Sequence, residues 1–555
     1  MKPILIFLAL TLFITWPTFL SPVTTVYTPL DHITTDMYSA MSSLWYPTLG
    51  DFSETNMLCA PYSQRTPPVF LLGLLMAPLT RVGGPIFSHN LLTWWGLFSS
   101  AFFAFLLSLH LTKRQDASIL AGIIFGFCPY MLLRAYTTFD TIQAGWIPLY
   151  ILCLFRYTER STWERAFAVG GALLGATFLS YPYYVVFFPI LTAIYFAFFQ
   201  KGFRKIFFVG SAVFMVFAAY YTAFLRMPAH LPTASRTPAH QRELKLVPAD
   251  YLVPVQQSAL FGSMTRSYWD RAYRAERRVS LNCAAYVGWI ALGLALYGAF
   301  RNVHDRRSAP EQGRRVGFFG IVAGTALIVT LGPDYGLSQA MLWVAPFARR
   351  VSVYKIFVQL SVAVLAAYGV CAVSRRLSGA VLIALCGMVF LEFTTVPPFQ
   401  TREVTRIPPA YEWLAKQPDG IVFEYPMFKA SGQDYQGYMF YQMFHGKRLF
   451  NPAGSVGLST VPTSMRGFWK KMETPMAITE QANIDTLRSL GVRYLVRHFQ
   501  FSTWTVTFPP PPQPKEIPLK LVFPVNVPEL HTWRFSTNPP DVTPFDYLYT
   551  EIYEL

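Results

Sequence analysis

Three groups of polar residues in this sequence have types and spacings suited to chemistry. The first is PLDHITTDMY, which places Asp31, His32 and Asp36 within six residues, shortly after an apolar run. A carboxylate held there suits a general base, which takes the proton of an acceptor hydroxyl as that hydroxyl attacks. The same spacing also fits a helix start, with Thr35 or Asp36 as the N-cap before MYSAMSSLWY. The second group is RAYTTFDTIQ, with Arg134 and Asp140 between two apolar runs and beside Tyr136 and Trp146. Charge at membrane depth is costly and marks function, whereas the plainer reading has Arg134 snorkelling and Asp140 pairing with it. The third group is basic. Arg236, His240, Arg242 and Lys245 precede Asp250-Tyr251; Arg266, Arg271, Arg274, Arg277 and Arg278 follow; then come Arg349, Arg350 and Lys355. Converging Arg and Lys suit a phosphate or diphosphate, while any single one is as well explained by solvent or anionic head groups.

What must position these groups is set by composition. The 555 residues are 53% hydrophobic and 17% aromatic but only 14% charged, with 46 Lys+Arg against 30 Asp+Glu and a net charge of +16. That excludes a disordered chain and speaks against a soluble nucleic-acid binder. Apolar runs lie at 4–20 and near 90–112, 117–134, 143–157, 166–180, 183–199, 206–225, 284–300, 316–332, 353–373 and 378–396. They predict about eleven membrane-spanning helices, several of which must extend into aromatic or Pro-containing flanks to reach the ~20 residues a span needs. The run at 4–20 has no small-x-small cleavage site after it and reads as a retained first span.

The stretch 67–80 (PPVFLLGLLMAPLT) is apolar but short and bracketed by prolines. Charge bias makes it an interfacial segment. Every Lys/Arg-rich connection then falls on one face: Lys2; Lys113 and Arg114; Arg156, Arg160 and Arg165; Lys201, Arg204 and Lys205; Arg301, Arg306, Arg307, Arg314 and Arg315; Arg375 and Arg376. These sixteen cations, with Asp116, Glu159, Glu164, Asp305 and Glu311, put +11 of the +16 on the inner side. Counting 67–80 as a span would send Lys113 and Arg114 outside.

In this topology the loops 21–89, 226–283 and 333–352 and the part 397–555 lie outside. The inner connections are too short for a nucleotide-binding domain, and neither GxxxxGK[ST] nor GxGxxG occurs. An enzyme built this way works on the outer face, so its activated substrate arrives through the membrane, most simply as a lipid-linked donor.

From about residue 397 the composition becomes mixed. PPAYEWLAKQ (408–417) predicts a short helix before Asp419-Gly420 and the strand IVFEYP; EQANIDTLRSLGVRYLVR (480–497) predicts a helix, a Gly491 C-cap and a strand. LKLVF, LHTWRF and FDYLYTEIYEL read as further strands, and Pro509–Pro512 as a polyproline linker. The expectation is an α+β domain over 397–555 following a membrane domain over 1–396. Three weaker signals carry little. AGSVG (453–457) departs from a nucleophile elbow, Tyr435, Tyr438 and Tyr441 read as a packing stripe, and Cys59 and Cys283 lie on the same side without any sign of a bridge. No CxxC pair occurs among the six cysteines.

This order of parts resembles the GT-C superfamily of membrane glycosyltransferases, which transfer a sugar from a polyprenyl-phosphate carrier on the outer side of the membrane. It comprises a first span, an outer loop with a juxtamembrane acid (Asp36 in TTDMY, or Asp31), the segment 67–80, the span NLLTWWGLFSSAFFAFLLSLHLTKR, and a second outer loop with Asp140. More narrowly, FGFCPYMLLRAYTTFDTIQAGWIPLYIL, LSYPYYVVFFP, ADYLVP, PPAYEWLAKQPDGIVFEYP and LRSLGVRYLV resemble a group of bacterial membrane proteins placed in that superfamily, in which His often stands where this chain has Asp140.

The resemblance implies an α-helical polytopic membrane domain with a smaller outer α+β domain, in a bacterial inner membrane, and inverting transfer of a sugar. Asp36 would be the general base, with Asp31 as alternate. Asp140 would be a second carboxylate, orienting the acceptor or, with Asp36, holding a divalent cation such as Mg or Mn. Arg349, Arg350 and Lys355 would hold the carrier phosphate, and His32, Arg134 and Tyr251 would complete the substrate site. The partners implied are membrane lipid, a polyprenyl-phosphate-sugar donor and a glycan, lipid or protein acceptor, with no nucleic acid; protein partners would use 397–555. The competing reading is a non-catalytic assembly subunit on the same scaffold.

Overall fold

A computed structural model describes residues 2–27, 35–49, 67–135, 139–160, 162–181, 183–199, 210, 213, 245–276, 283–304, 310–332, 336–344, 350–373, 377–395, 401–405, 407–425, 435–451, 465–472, 477–498, 502–503, 506–507, 517–523 and 550–555. Packing divides the chain into two units: 1–19, 91–225 and 233–400 form one, and 20–90, 226–232 and 401–555 the other.

The apolar runs of the first unit become helices: Lys2–Ile14, Gln115–Gly126, Pro129–Arg134, Trp146–Glu159, Trp163–Phe178, Phe187–Phe199, Trp289–His304, Pro310–Thr330, Lys355–Val373 and Gly379–Phe393. Among the described residues, three stretches are long and apolar enough to cross a membrane, Leu71–Thr112, Pro310–Thr330 and Val351–Val373. Four others, Lys2–Ile14, Gln115–Gly126, Tyr184–Phe199 and Gly379–Phe393, are apolar but shorter. This is the helical make-up of a membrane protein. The run 206–225 lies outside the described residues, apart from two isolated positions.

At the centre of this unit stands Lys355–Val373, buried at every position from Lys355 to Val370. A helix that is apolar all round finds its place inside a bundle, where no face meets solvent or lipid. It packs against Gln115–Gly126, Trp289–His304 and Pro310–Thr330. Its approach to Trp289–His304 depends on glycine: a Cβ on Gly369 would lie 2.0 Å from the Leu294 carbonyl oxygen, and one on Gly298 would lie 2.4 Å from the Gly369 nitrogen. Small residues allow such backbone contact between membrane helices. Gln359 is satisfied there, donating from Nε2 to the Ile124 carbonyl at 3.0 Å.

Residues that the charge bias assigns to one face do meet. The Asp116 carboxylate accepts from Arg114 and from the Leu377 N–H at 3.3 Å. Arg315 donates to the Leu111 carbonyl at 3.1 Å and pairs with Glu311, and His110 Nε2 lies 2.9 Å from Glu159 Oε1.

All eight of the described strands belong to the second unit. β1 (Thr25–Tyr27) pairs antiparallel with β2 (Thr401–Glu403), so the first long loop and the C-terminal part share a sheet. β3 (Ile421–Tyr425) and β4 (Val492–His498) run parallel, and the four-stranded order is β3-β4-β8-β7, with β7 at Lys520–Phe523 and β8 at Thr550–Glu554; β5 (Ser502–Thr503) and β6 (Val506–Thr507) form a separate hairpin. The two helix–Gly–strand repeats of the sequence are the source of the parallel pair: helix Pro409–Ala415 leads to β3, and Gln481–Ser489 leads through Gly491, at φ 79°, to β4. β3 is buried along its whole length. The tyrosine stripe is a packing stripe, with Tyr438 and Tyr441 buried on helix Tyr435–His445 and Tyr441 stacked on Tyr411 at 4.6 Å. That helix packs on Thr35–Trp45, where Tyr46 Oη donates to Gln442 Oε1 at 2.8 Å.

The stretch 67–80 is helical. Helix Pro67–Thr112 is interrupted only at Gly84, at φ 80°, and Pro85 follows it. A left-handed glycine ends one helical piece and proline, which lacks an N–H to leave unpaired, opens the next. The break therefore falls at Gly84-Pro85, several residues ahead of the apolar run at 90–112.

His445 makes the second unit acid-sensitive. Its Nδ1 accepts the Lys447 N–H at 3.1 Å, which requires a neutral ring, and burial pushes its pKa down to about 3. The unfolded chain takes up that proton below about 6.5 while the folded state refuses it until about 3. Stability of this unit is therefore full above about pH 6.5 and should fall by about 1.4 kcal/mol per pH unit on acidification. His445→Asn, whose Oδ1 can replace Nδ1 as acceptor, should flatten the slope in unfolding curves at pH 7.5, 6.0 and 5.0. An unchanged slope would sink the assignment.

Candidate functional site

The site singled out by sequence is built in the first unit from three segments. Pro129 opens the short helix Pro129–Arg134, which carries Tyr130 and ends on a buried Arg134. The turn after it holds Asp140, 6% exposed, with Oδ1 accepting the Thr141 N–H at 2.8 Å. That turn is pinned to the helix around Leu92–Ser100. Gln143 Nε2 donates to the Leu92 and Phe139 carbonyls at 2.9 and 2.8 Å, and Ser100 Oγ donates to the Ile142 carbonyl at 3.3 Å. Gly145 allows the approach, since a Cβ there would sit 2.8 Å from the Ser99 carbonyl carbon.

A second segment supplies phenols. Tyr184 Oη donates to the Thr141 carbonyl at 2.9 Å and lies 3.0 Å from Tyr130 Oη. Tyr184 has one proton and gives it to the carbonyl, so Tyr130 is the donor between the two hydroxyls. Tyr181 stands beside Tyr183 and Tyr184, with ring centroids 4.9 and 5.6 Å apart.

The third segment supplies cations. Arg350 opens the turn Val351–Tyr354, and Lys355 begins the central helix behind it. The Lys355 ammonium is buried at 2% exposure and sits over the Tyr130 ring, 4.7 Å from its centroid. Arg134 and Asp250 lie within its electrostatic reach, and Tyr181 lies within that of Arg350, Arg134 and Asp140. Residues about 215 positions apart in sequence thus converge. Arg134, Arg350 and Lys355 are linked to Asp140 and Asp250 through the electrostatic reach of Tyr181 and Lys355.

Asp250 is the member that sequence reasoning passes over in favour of its neighbour Tyr251. It is fully buried; Oδ2 accepts the Val247 N–H at 2.8 Å and Oδ1 accepts from Tyr268 Oη at 2.7 Å. The available signal is an acid enclosed by apolar residues and prolines, LVPADYLVPV. Tyr251 is buried; its hydroxyl is 2.7 Å from Thr330 Oγ1, and burial pushes the phenol up from its ordinary value. Glu392 has no arginine partner among the described residues. It closes the start of helix Trp289–His304, accepting from the Trp289 N–H at 2.6 Å and from Tyr286 Oη.

The remaining sequence candidates are placed less fully. Asp36 is the second residue of helix Thr35–Trp45, in the second unit, and its side chain lies outside the described residues, as do Asp31, His32 and Arg349. Cys283 is buried with Sγ 3.7 Å from the Lys245 carbonyl oxygen, and Cys59 is outside the described residues. So are AGSVG and the proline run. Among the described residues no group of three or more His, Cys, Asp or Glu side chains is placed to hold a metal ion. Asp140 lies within electrostatic reach of Tyr130 and Tyr181.

Comparison with known proteins gives a likeness of fold. No protein-family profile and no curated protein matches the chain. Among solved structures, the arabinofuranosyltransferase AftD from Mycobacteria matches with a TM-score of 0.50 at 14% identity, over 90% of this chain and 35% of AftD. ArnT from Cupriavidus metallidurans bound to undecaprenyl phosphate matches with a TM-score of 0.40 at 11% identity, over 89% of this chain and 92% of ArnT. The chain spans about a third of AftD's length, and at this identity the likeness to AftD bears on the fold alone.

Proposed function

We propose that this chain is an integral membrane glycosyltransferase that takes a sugar from a polyprenyl-phosphate donor and gives it to an acceptor on the outer face of the membrane. The observation that carries this is the convergence of Arg134, Arg350 and Lys355 around Asp140, Asp250 and a set of phenols. Converging Arg and Lys side chains suit a phosphodiester, to which they can donate charge-assisted hydrogen bonds. The fold shared with AftD is consistent with this chemistry.

In this reading the acceptor hydroxyl attacks the anomeric carbon as the bond from that carbon to the phosphate oxygen breaks. The electron pair leaves on the phosphate, whose growing charge Lys355, Arg350 and Arg134 offset; Arg349 is placed with them by sequence. The hydroxyl proton passes to a carboxylate, for which Asp36 is the candidate and Asp31 the alternate. Displacement in one step inverts the anomeric centre. Asp140, held by the Thr141 N–H, orients the acceptor.

The orientation proposed is that of the positive-inside pattern, with about eleven spans, the Lys2 side inside, and 397–555 outside in the periplasm of a bacterium. The contact of Asp116 with the Leu377 N–H, and the approach of Arg315 to Glu159 at 3.9 Å, support it, since they join connections that charge alone gives to one side. The part 397–555 would then be free to shape the acceptor side or to bind a protein partner.

The test is direct binding. The purified full chain, mixed with a short-chain polyprenyl monophosphate in detergent and measured by native mass spectrometry, should show one bound carrier. Absence of binding, or sugar transfer from a nucleotide sugar with no lipid present, would overturn the reading.

A further inference from the structure

We propose that the Tyr354 hydroxyl, with the phenols of Tyr181 and Tyr183, recognises the sugar ring of the lipid-linked donor; this rests on the carrier-phosphate reading above. Tyr354 ends the turn that begins at Val351 and immediately precedes Lys355, so one backbone feature places both a phenol and a phosphate-binding cation. Its side chain is 0% exposed, yet its hydroxyl has no hydrogen-bond partner among the described residues. A buried hydroxyl left unpaired costs stability, and each such group calls for an explanation. Of the other buried tyrosines of this unit, Tyr130, Tyr150, Tyr184, Tyr195, Tyr251 and Tyr286 each have a partner, whereas Tyr368, far along the central helix from Lys355 and next to Cys371, shares the lack.

The surroundings of Tyr354 indicate the class of ligand. Its ring packs on Phe187, with centroids 5.7 Å apart, and Tyr183 and Tyr181 lie within electrostatic reach of its hydroxyl. Both of those phenols are partly exposed, and Tyr181 is within reach of Arg350 and Asp140. Beside the cations there is thus a neutral patch of ring faces and hydroxyls. Phenols donate and accept, and aromatic faces pack against C–H groups, so the patch matches a hydroxylated ring next to a phosphate and not a second anion.

Tyr354→Phe removes a single oxygen whose loss leaves no partner behind, so the variant should fold at least as stably as wild type. Binding is compared for two probes: a short-chain polyprenyl phosphate, and the same carrier bearing each of a panel of pentoses and hexoses. The expected result is that at least one glycosylated carrier binds wild type more tightly than the bare carrier, and that Tyr354→Phe loses that margin by about three- to ten-fold with bare-carrier affinity unchanged. Either of two results overturns the proposal: no sugar of the panel improves binding to wild type, or Tyr354→Phe keeps the full margin. Failure of the underlying reading is distinct, because wild type would then not bind the bare carrier at all.

Discussion

Asp36→Asn is expected to lower sugar transfer by about 10²- to 10⁴-fold while leaving binding of the polyprenyl phosphate unchanged, the range over which a positioned general base contributes. The amide keeps the size of the carboxylate and can still accept hydrogen bonds, but cannot take the acceptor's proton. Asp36 is also the second residue of helix Thr35–Trp45, and a residue that served only to open that helix would contribute to stability alone. That role predicts a small loss of thermal stability and no change in the rate per folded molecule. The pH profile separates the two: wild type should show a rate that rises with deprotonation of one carboxylate, and the variant should lack that limb. Normal turnover in Asp36→Asn would remove it as the base, and a matching loss in Asp31→Asn would move the role to Asp31.

Lys355→Met is expected to weaken carrier binding by about 10- to 100-fold, the value of one charge-assisted hydrogen bond to a phosphate. Methionine keeps the apolar stem in its buried place above Tyr130 and removes only the ammonium. The carboxylate most exposed to that loss is Asp250, which retains the Val247 N–H and the Tyr268 hydroxyl, so folding should survive. Arginine should not restore full function, because its planar fork does not fit a site shaped for a compact charge at the first turn of a packed helix. Titration of wild type and Lys355→Met with the bare carrier, alongside thermal unfolding, checks this. Equal affinities with equal stability would place the phosphate elsewhere.

Several features of the chain are legible in its sequence. The apolar runs mark the helices because burial of long apolar stretches is a local property of composition. The two helix–Gly–strand repeats give the parallel pair β3 and β4, since Gly491 can adopt the left-handed cap that ends a helix there. The tyrosines at 435, 438 and 441 read as packing, and Tyr438 and Tyr441 are buried. Arg134, Asp140, Arg350 and Lys355 are picked out by the cost of charge beside apolar sequence, and the fold brings them together.

Other features depend on partners distant in sequence. Nothing local distinguishes Glu392 as the cap of a helix that begins about a hundred residues earlier, or Asp250 as a buried acid held by Tyr268. The loop at 20–90 and the C-terminal part form one unit because β1 finds β2 nearly 380 positions away. By itself, then, the sequence determined which segments are helices and which carry charge at apolar boundaries, both properties of windows shorter than about 20 residues. Tertiary structure decided which of those charges meet. A helix apolar on every face, such as Lys355–Val373, carries no periodicity to say which neighbour it will pack against. That choice is made by shape, by the bare backbones at Gly298 and Gly369, and it is what sets Lys355 over Tyr130 beside Arg134.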